Sequence, residues 1–534
     1  MLDESEDVLV ETLQGPVRGE ILSGIRVFRG IPYAAPPTGD RRFLPLEPAE
    51  SWTEPRDATR FGSAAPQFPD PLDDLWGRLA PGDEDCTSLN IWAPARPADR
   101  PRPVMVWIHG GAFVIGSGKW PWYEGCNLAQ RGDVVLVTIN YRLGALGFLD
   151  LSELGDDRHR TCGNHGLLDQ VCALRWIRDN IERFGGDPKN VTLFGESAGG
   201  ISIACLLAMP EARGLFQRVI VMSGGANLIR FPKLSREVAR TYLKIAGVES
   251  VAECSRLPTK VLMKAQKRLL DRNEYGGDAV FGPVVDGRVL PEPPLHAIRS
   301  GCASEVGLMT GTTLDEARLW SLYVPILRWA HPRALGRVLR HAVGDRGREV
   351  VSAYRRSRLG DRPGNLSMAI NGDLLFRMPA IRLAEAQSEH RPHDTRMYLF
   401  TWSTPVSRGR LGSPHAVDVP FVFGNLDQEG VERFTGKGAD RRELSMRIQD
   451  AWLAFARTGD PSHSGLPHWP PYRRDSRATM IFDSSPTVVN DPRPEERKAW
   501  DGVPFDGVVP AIEQSLPTTG EILRSLVPNP FSRA

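Results

Sequence analysis

Five residues, Gly195-Glu196-Ser197-Ala198-Gly199, hold a serine between two glycines in a setting where chemistry is possible. They follow a strand-like run, Asn190-Val191-Thr192-Leu193-Phe194, and precede an apolar, helix-like run from Ile201 to Leu207. A strand, a turn too tight for side chains on either flank and then a helix form an elbow that presents a serine hydroxyl. The glycines leave room for a strained serine backbone. The helix start behind it offers free N–H groups and a positive dipole end to a developing negative charge. Ser197 is therefore the candidate covalent nucleophile. Glycine is abundant, at 52 of 534 residues, so the same pattern also fits an ordinary glycine turn and its weight depends on its companions.

The first companion is His109-Gly110-Gly111-Ala112-Phe113, after the apolar β-rich run Pro103–Ile108. A Gly-Gly beyond a buried strand exposes N–H groups where no side chain blocks approach. Acyl transfer needs such donors aimed at a tetrahedral oxyanion, and losing one typically costs about 2.7–4 kcal/mol of barrier. The N–H groups of Gly110, Gly111 and Ala198 are the candidate oxyanion hole. His109 precedes the serine, whereas a strand–elbow–helix nucleophile takes its acid and histidine downstream, so His109 is read as structural.

An ordered series of segments then resembles the type-B carboxylesterases. It includes Phe28-Arg29-Gly30-Ile31-Pro32-Tyr33-Ala34, Glu84-Asp85-Cys86-Thr87-Ser88-Leu89-Asn90 (Thr87 replacing the usual leucine), Asn140–Gly144, Gly163–Gln170, Asn180–Pro188 and Trp452–Pro461. The resemblance runs from about Val10 to Asp501. It implies an α/β-hydrolase fold: a large, mostly parallel central sheet flanked by helices, with long loop and helical insertions. It also implies ester hydrolysis through an acyl-enzyme.

The resemblance supplies the remaining site residues. Gly311-Thr312-Thr313-Leu314-Asp315-Glu316 is similar to the family's acid segment and carries the role over to Glu316, with Asp315 as the neighbouring rival. Gly412-Ser413-Pro414-His415-Ala416-Val417-Asp418 is similar to its histidine segment and makes His415 the base among 11 histidines. Imidazole suits that work because its unperturbed pKa of about 6.5 lets it take and return a proton near neutrality. Glu196, Phe113 and Trp76 fall where substrate-binding residues are expected. Trp76 lies ten residues before Cys86, near where cholinesterases carry a choline-stacking tryptophan, but the loop around it is otherwise unlike theirs and a lid or packing tryptophan is the alternative reading. The resemblance further implies two structural ion pairs, Arg42 with Glu84 and Arg142 with Asp187.

Composition and punctuation frame these residues. Lys+Arg number 66 against 65 Asp+Glu, with no basic block, which argues against nucleic-acid binding. The acidic start Met1–Asp7 lacks a basic and an apolar leader region, and no run of about 18 apolar residues appears, so neither secretion nor a membrane span is expected. Secreted relatives pair the cysteine matching Cys86 with one upstream; none precedes Cys86 here, so that bridge cannot form. Both observations predict a reducing cytoplasm, and arginine-rich basic charge hints at a bacterial source. No metal or organic cofactor is called for. The expected partner is a small-molecule ester, the chain acting as a monomer or homo-oligomer. Residues 9–30 read as a hairpin and 31–85 as loop and lid. Alternating strands and helices fill about 89–225. One domain is expected over 1–501, with cap-like insertions near 60–85, 231–275 and 320–395, and a helix or tail over 502–534. Two other readings remain: a non-catalytic binding or adhesion protein on this fold, and an amide, carbamate or lipid hydrolase with the same catalytic residues.

Overall fold

The computed structural model of the chain describes residues 6–70, 72–77, 81–272, 280–323 and 346–503. Thirteen strands form one sheet among them, in the order β1-β2-β3-β5-β7-β6-β8-β9-β10-β11-β12-β13, with β4 (Arg56–Asp57) beside β2. The antiparallel flank is β1 (Glu6–Glu11), β2 (Pro16–Leu22), β3 (Ile25–Pro32) and β5 (Ser88–Pro94). The expected N-terminal hairpin is thus a three-stranded meander, its third strand running to Pro32. From β7 (Val135–Ile139) the sheet continues in parallel through β6 (Arg102–Ile108), β8 (Gly186–Glu196), β9 (Arg218–Met222), β10 (Gly307–Thr313), β11 (Thr395–Phe400) and β12 (Ala478–Phe482). An antiparallel edge, β13 (Thr487–Asn490), closes the order.

The apolar runs of the central strands have two faces to cover. On β6, Val104, Val106 and Ile108 join one core, while Met105 and Trp107 join the other. On β8, Val191 and Leu193 separate from Phe194 in the same way. Helices His165–Asn180 and Ala198–Ala208 pack into the first core, and Asp440–Thr458 into the second. A parallel sheet buried on both sides explains why its strands read as near-continuous apolar runs rather than alternating ones.

Residues 232–272 form three helices, Pro232–Ala246, Val251–Arg256 and Thr259–Arg272. Arg42 ties them to the N-terminal part. Its Nε and Nη2 donate to Glu84 at 2.7 and 2.6 Å, and its Nη1 donates to the carbonyls of Ser255 and Leu257, both at 2.6 Å. The second expected ion pair is different. Arg142 donates from Nε and Nη2 to Asp169, at 2.8 and 2.7 Å, and its backbone N–H donates to the same carboxylate. Asp187 instead accepts the N–H of Lys189 in a local turn. Asp169 lies on the buried face of helix His165–Asn180, where a fork-to-fork pair is shielded from water; Asp187, early in β8, serves its own turn.

The 320–395 region, where described, is helical: Trp320–Tyr323, Arg346–Ser357, Pro363–Gly372 and Met378–His390. A wide turn of π-helix, Asp373–Arg377, joins the last two without a break. The expected C-terminal helix or tail lies outside the described residues from 504 onward.

Candidate active site

Strand β8 ends at Glu196 and the next helix begins at Ala198, so Ser197 is the single residue between them. Its φ of 57° and ψ of −125° lie where an L-residue is strained, as an elbow demands. The N–H of Ser197 is anchored on the Met222 carbonyl at 3.0 Å. Every neighbour from Val191 to Gly200 is buried, but Ser197 is only partly so. Among the described residues its hydroxyl makes no hydrogen bond.

Beside it lies the loop after β6. Added Cβ atoms explain its two glycines. At Gly110 one would stand 3.1 Å from Ser197 Cβ and 2.8 Å from the Glu196 carbonyl oxygen. At Gly111, with φ +112°, one would collide with the Ile115 carbonyl at 2.1 Å. Ala112 and Phe113 follow at φ 52° and 62°, so three successive residues share left-handed backbone. Among the described residues, the N–H groups of Gly110 and Gly111 have no acceptor, and Ala198 opens a helix, where N–H groups lack intrahelical partners. His109 is buried, stacks on Tyr141 with ring centroids 4.5 Å apart, and meets the Gly110 carbonyl through Nδ1 at 2.8 Å. Burial lowers its pKa to about 4, which keeps the ring neutral.

Glu316 and His415, 99 residues apart, meet at the C-terminal ends of β10 and β11. His415 Nδ1 is 2.5 Å from Glu316 Oε2. Glu316 Oε1 accepts from Ser223 Oγ at 2.6 Å and from the Thr313 N–H at 2.8 Å, which fixes the carboxylate. The rival, Asp315, is engaged elsewhere: it pairs with Arg318 at 3.0 Å and accepts the Ser413 N–H at 3.1 Å.

The other ring nitrogen, Nε2, is 2.9 Å from Glu196 Oε1. Among the described residues this Glu196 oxygen has no hydrogen bond of good geometry, so the contact is one of charge. The imidazole is thus flanked by two carboxylates in a buried site. Burial alone would push its pKa down, but Glu196 and Glu316 together outweigh this and raise it to about 10. Burial is the main cause that raises the Glu196 pKa. A third acid, Asp418, lies one turn beyond His415. Burial and then the charges of Glu196 and Glu316 raise its pKa to about 8, and Tyr398 donates to it at 3.2 Å. The four groups form one buried charge-coupled cluster.

Aromatic rings wall the histidine. Phe376, carried by the π-helical turn, lies 4.5 Å from the His415 ring centroid, and Trp320 lies 5.3 Å away. Phe113 packs on Phe148 at 4.9 Å and faces the Gly282 turn. Trp76 ends the short helix Asp73–Trp76; its side chain lies outside those described. Sequence reasoning missed Ser223, Phe376 and Trp320. Ser223, at the close of the apolar run Arg218–Met222, has the signature of a strand-end residue. The two aromatics sit in helical sequence with no chemical pattern to mark them.

Comparison with known proteins agrees with this architecture. The model of the carboxylesterase family matches residues 6–500. The chain is 41% identical over 499 residues to the para-nitrobenzyl esterase of Bacillus subtilis strain 168, covering 92% of this chain and 98% of that one. It is 36% identical to the phenmedipham hydrolase of Pseudarthrobacter oxydans, covering 90% and 97%. The crystal structure of the Geobacillus stearothermophilus carboxylesterase at pH 6.2 superposes with a TM-score of 0.84 at 39% identity, covering 92% and 99%. With the strand–elbow–helix serine and the sheet that carries it, these similarities show that the chain belongs to the carboxylesterase family and is a carboxylic ester hydrolase of the α/β-hydrolase fold.

Proposed function

We propose that Ser197, His415 and Glu316 form the catalytic triad of this esterase and that the N–H groups of Gly110, Gly111 and Ala198 form its oxyanion hole. The observation that carries this reading is the 2.5 Å contact between His415 Nδ1 and Glu316 Oε2, on the same sheet edge as the strained serine. His415 takes the Ser197 proton as Oγ attacks the ester carbonyl. Glu316 holds the tautomer and balances the imidazolium that forms. The oxyanion rests on the three backbone donors. The alcohol leaves with the proton from His415, and water then repeats the sequence on the acyl-enzyme.

Glu196 has a second part in this reading. Its carboxylate beside Nε2 stabilises imidazolium, the charged form reached when Ser197 has given up its proton. Phe113 lines the substrate's approach in this reading, and Trp76, at the end of the short helix Asp73–Trp76, is the second candidate for that role. The residues 60–85, 231–275 and 320–395 serve as insertions on a single domain spanning 1–501. Seven cysteines without a disulfide support a reducing compartment, the bacterial cytoplasm.

Hydrolysis of p-nitrophenyl esters of graded acyl length, by wild type and Ser197→Ala in parallel, tests the reading. The expected result is turnover by wild type and a fall of about 10³-fold or more in the variant. A p-nitrobenzyl ester and phenmedipham extend the panel to compounds named for the relatives. A folded wild type inert on every ester sinks the reading.

A further inference from the structure

At the opposite ends of the same strands lies a feature that ester hydrolysis does not use. An open cleft of about 400 Å³ sits where β6 and β8 begin, between the loop 95–101 and the turn Glu182–Gly185. Five arginines line it: Arg26, Arg96, Arg100, Arg102 and Arg183. The acids on the same lining are Asp99 and Glu182. Strand β6 runs from Arg102 to Ile108, so the cleft and the Gly110 loop are about 20 Å apart across the sheet.

The arginines are unequally engaged. Asp133 accepts from Arg102 Nε at 2.7 Å and pairs with Arg96 at 3.1 Å, so it lies behind these two. Arg102 Nη2 donates to the Arg96 carbonyl, also at 2.7 Å. Its Nη1 has no hydrogen-bond partner among the described residues. Arg26 donates through Nη2 to the Phe184 carbonyl, and its buried Nε has no partner. Arg100 and Arg183 are exposed, and among the described residues neither has an acidic partner. Arg26 Nη2 and Arg102 Nη1 each lie 3.5 Å from the point where a Cβ on Gly185 would stand. Both guanidinium groups therefore border the open face of a residue with no side chain. Two guanidinium charges at one face repel each other unless an anion lies between them, and Arg102, after burial, lowers the pKa of Arg26. After Asp133, Asp99 and Glu182 are set against the five arginines, two positive charges remain.

We propose that this cleft is a binding site for a doubly charged tetrahedral oxyanion of the phosphate type, seated over Gly185 between Arg26 and Arg102, with Arg183 at its mouth. Guanidinium forks match phosphate oxygens two at a time, and the excess charge equals that of hydrogen phosphate. The phosphate is either the free ion or one borne by a small metabolite, which the open volume of the cleft admits.

Calorimetric titration of the full chain with inorganic phosphate and with adenosine diphosphate tests the site, against chloride at matched ionic strength. The same titrations on Arg26→Gln and Arg183→Gln complete it. Saturable one-to-one binding is expected, weakened at least about tenfold in both variants. Tighter binding of the diphosphate assigns the site to a phosphorylated metabolite, and tighter binding of phosphate to the free ion. Both variants are expected to hydrolyse p-nitrophenyl esters at the wild-type rate, which reports their folding independently of the cleft. Absence of saturable binding at millimolar concentration overturns the proposal. So does equal affinity in wild type and both folded variants.

Discussion

His415 lies between two carboxylates, and at the scale of single residues the proposed chemistry turns on this contact. In the proposed mechanism the base must be neutral to accept the serine proton, and Glu196 with Glu316 raises the imidazole pKa to about 10. Wild-type kcat/KM is therefore expected to climb on the alkaline side of neutrality. Glu196→Gln removes one of the two charges that raise the imidazole, so its pKa falls. The acid limb of the pH–kcat/KM profile should then move to lower pH; an unmoved limb removes Glu196 from the site's electrostatics. The stability linkage has the matching sign. A raised imidazole pKa stabilises the fold fully below its unfolded value of about 6.5, and this contribution is lost as pH rises through about 10. Glu316→Gln keeps the shape of the side chain but not its charge. It is expected to lower kcat by roughly 10⁴-fold, the scale set by a triad acid changed to its amide in a serine protease. Ser223→Ala, which frees Glu316 Oε1 from a 2.6 Å hydrogen bond, should lower kcat less while leaving KM nearly unchanged, as expected of a positioning residue.

Loops and strand ends decide whether those residues can act. The segment Gly111–Phe113 keeps left-handed backbone over three residues, and among the described residues the Gly110 and Gly111 N–H groups have no acceptor. Gly111→Ala cannot keep it: the added methyl meets the Ile115 carbonyl at 2.1 Å and the φ of +112° is strained for alanine. Loss of an oxyanion donor, about 10²–10³-fold in kcat, is expected with substrate binding largely kept. Steady-state kinetics with a p-nitrophenyl ester separate the two parameters, and a change confined to KM contradicts the assignment. The Arg142–Asp169 pair does comparable work for the helix His165–Asn180. Both side chains are buried and joined by two parallel hydrogen bonds. Asp169→Asn should destabilise by about 3–5 kcal/mol in chemical denaturation, because it strands the buried guanidinium. Asp187→Asn should change stability little, since Asp187 serves only its local turn.

At the scale of the molecule, one sheet with two cores carries the proposed active site and the proposed anion cleft at its opposite ends. Its C-terminal strand ends carry Ser197, Glu316 and His415, and its N-terminal ends carry the arginine cleft. All seven cysteines are free, and four of them are buried: Cys86, Cys162, Cys205 and Cys254. Burial raises the thiol pKa of Cys86 and Cys205, which keeps them unreactive. Stability should therefore be indifferent to reductant, and a melting temperature that falls on adding dithiothreitol would contradict this. Among the described residues, no helix is long and apolar enough to cross a membrane.

The ordered segments of the sequence implied the fold class through their resemblance to a known family, and with it the order of the parts. Strand runs bounded by glycine turns are local signals, and Gly195–Gly199 announces its elbow in five letters. The same resemblance pointed to Glu316 and His415 through the segments that hold them, and the structure brings the two side chains together. The sequence could not choose the partner of Arg142: Asp169 and Asp187 are both acids near the right elements, and only packing decides which one is buried against the guanidinium. Nor could it show that Glu196 lies against Nε2, that Phe376 walls the histidine from a π-helical turn, or that Arg26 and Arg102 both border the open face of Gly185. Each of these joins residues distant in the chain or turned by an irregular backbone. Pattern along a sequence reports neighbours within a strand or a helix; distance and burial between elements arise only when the sheet is assembled.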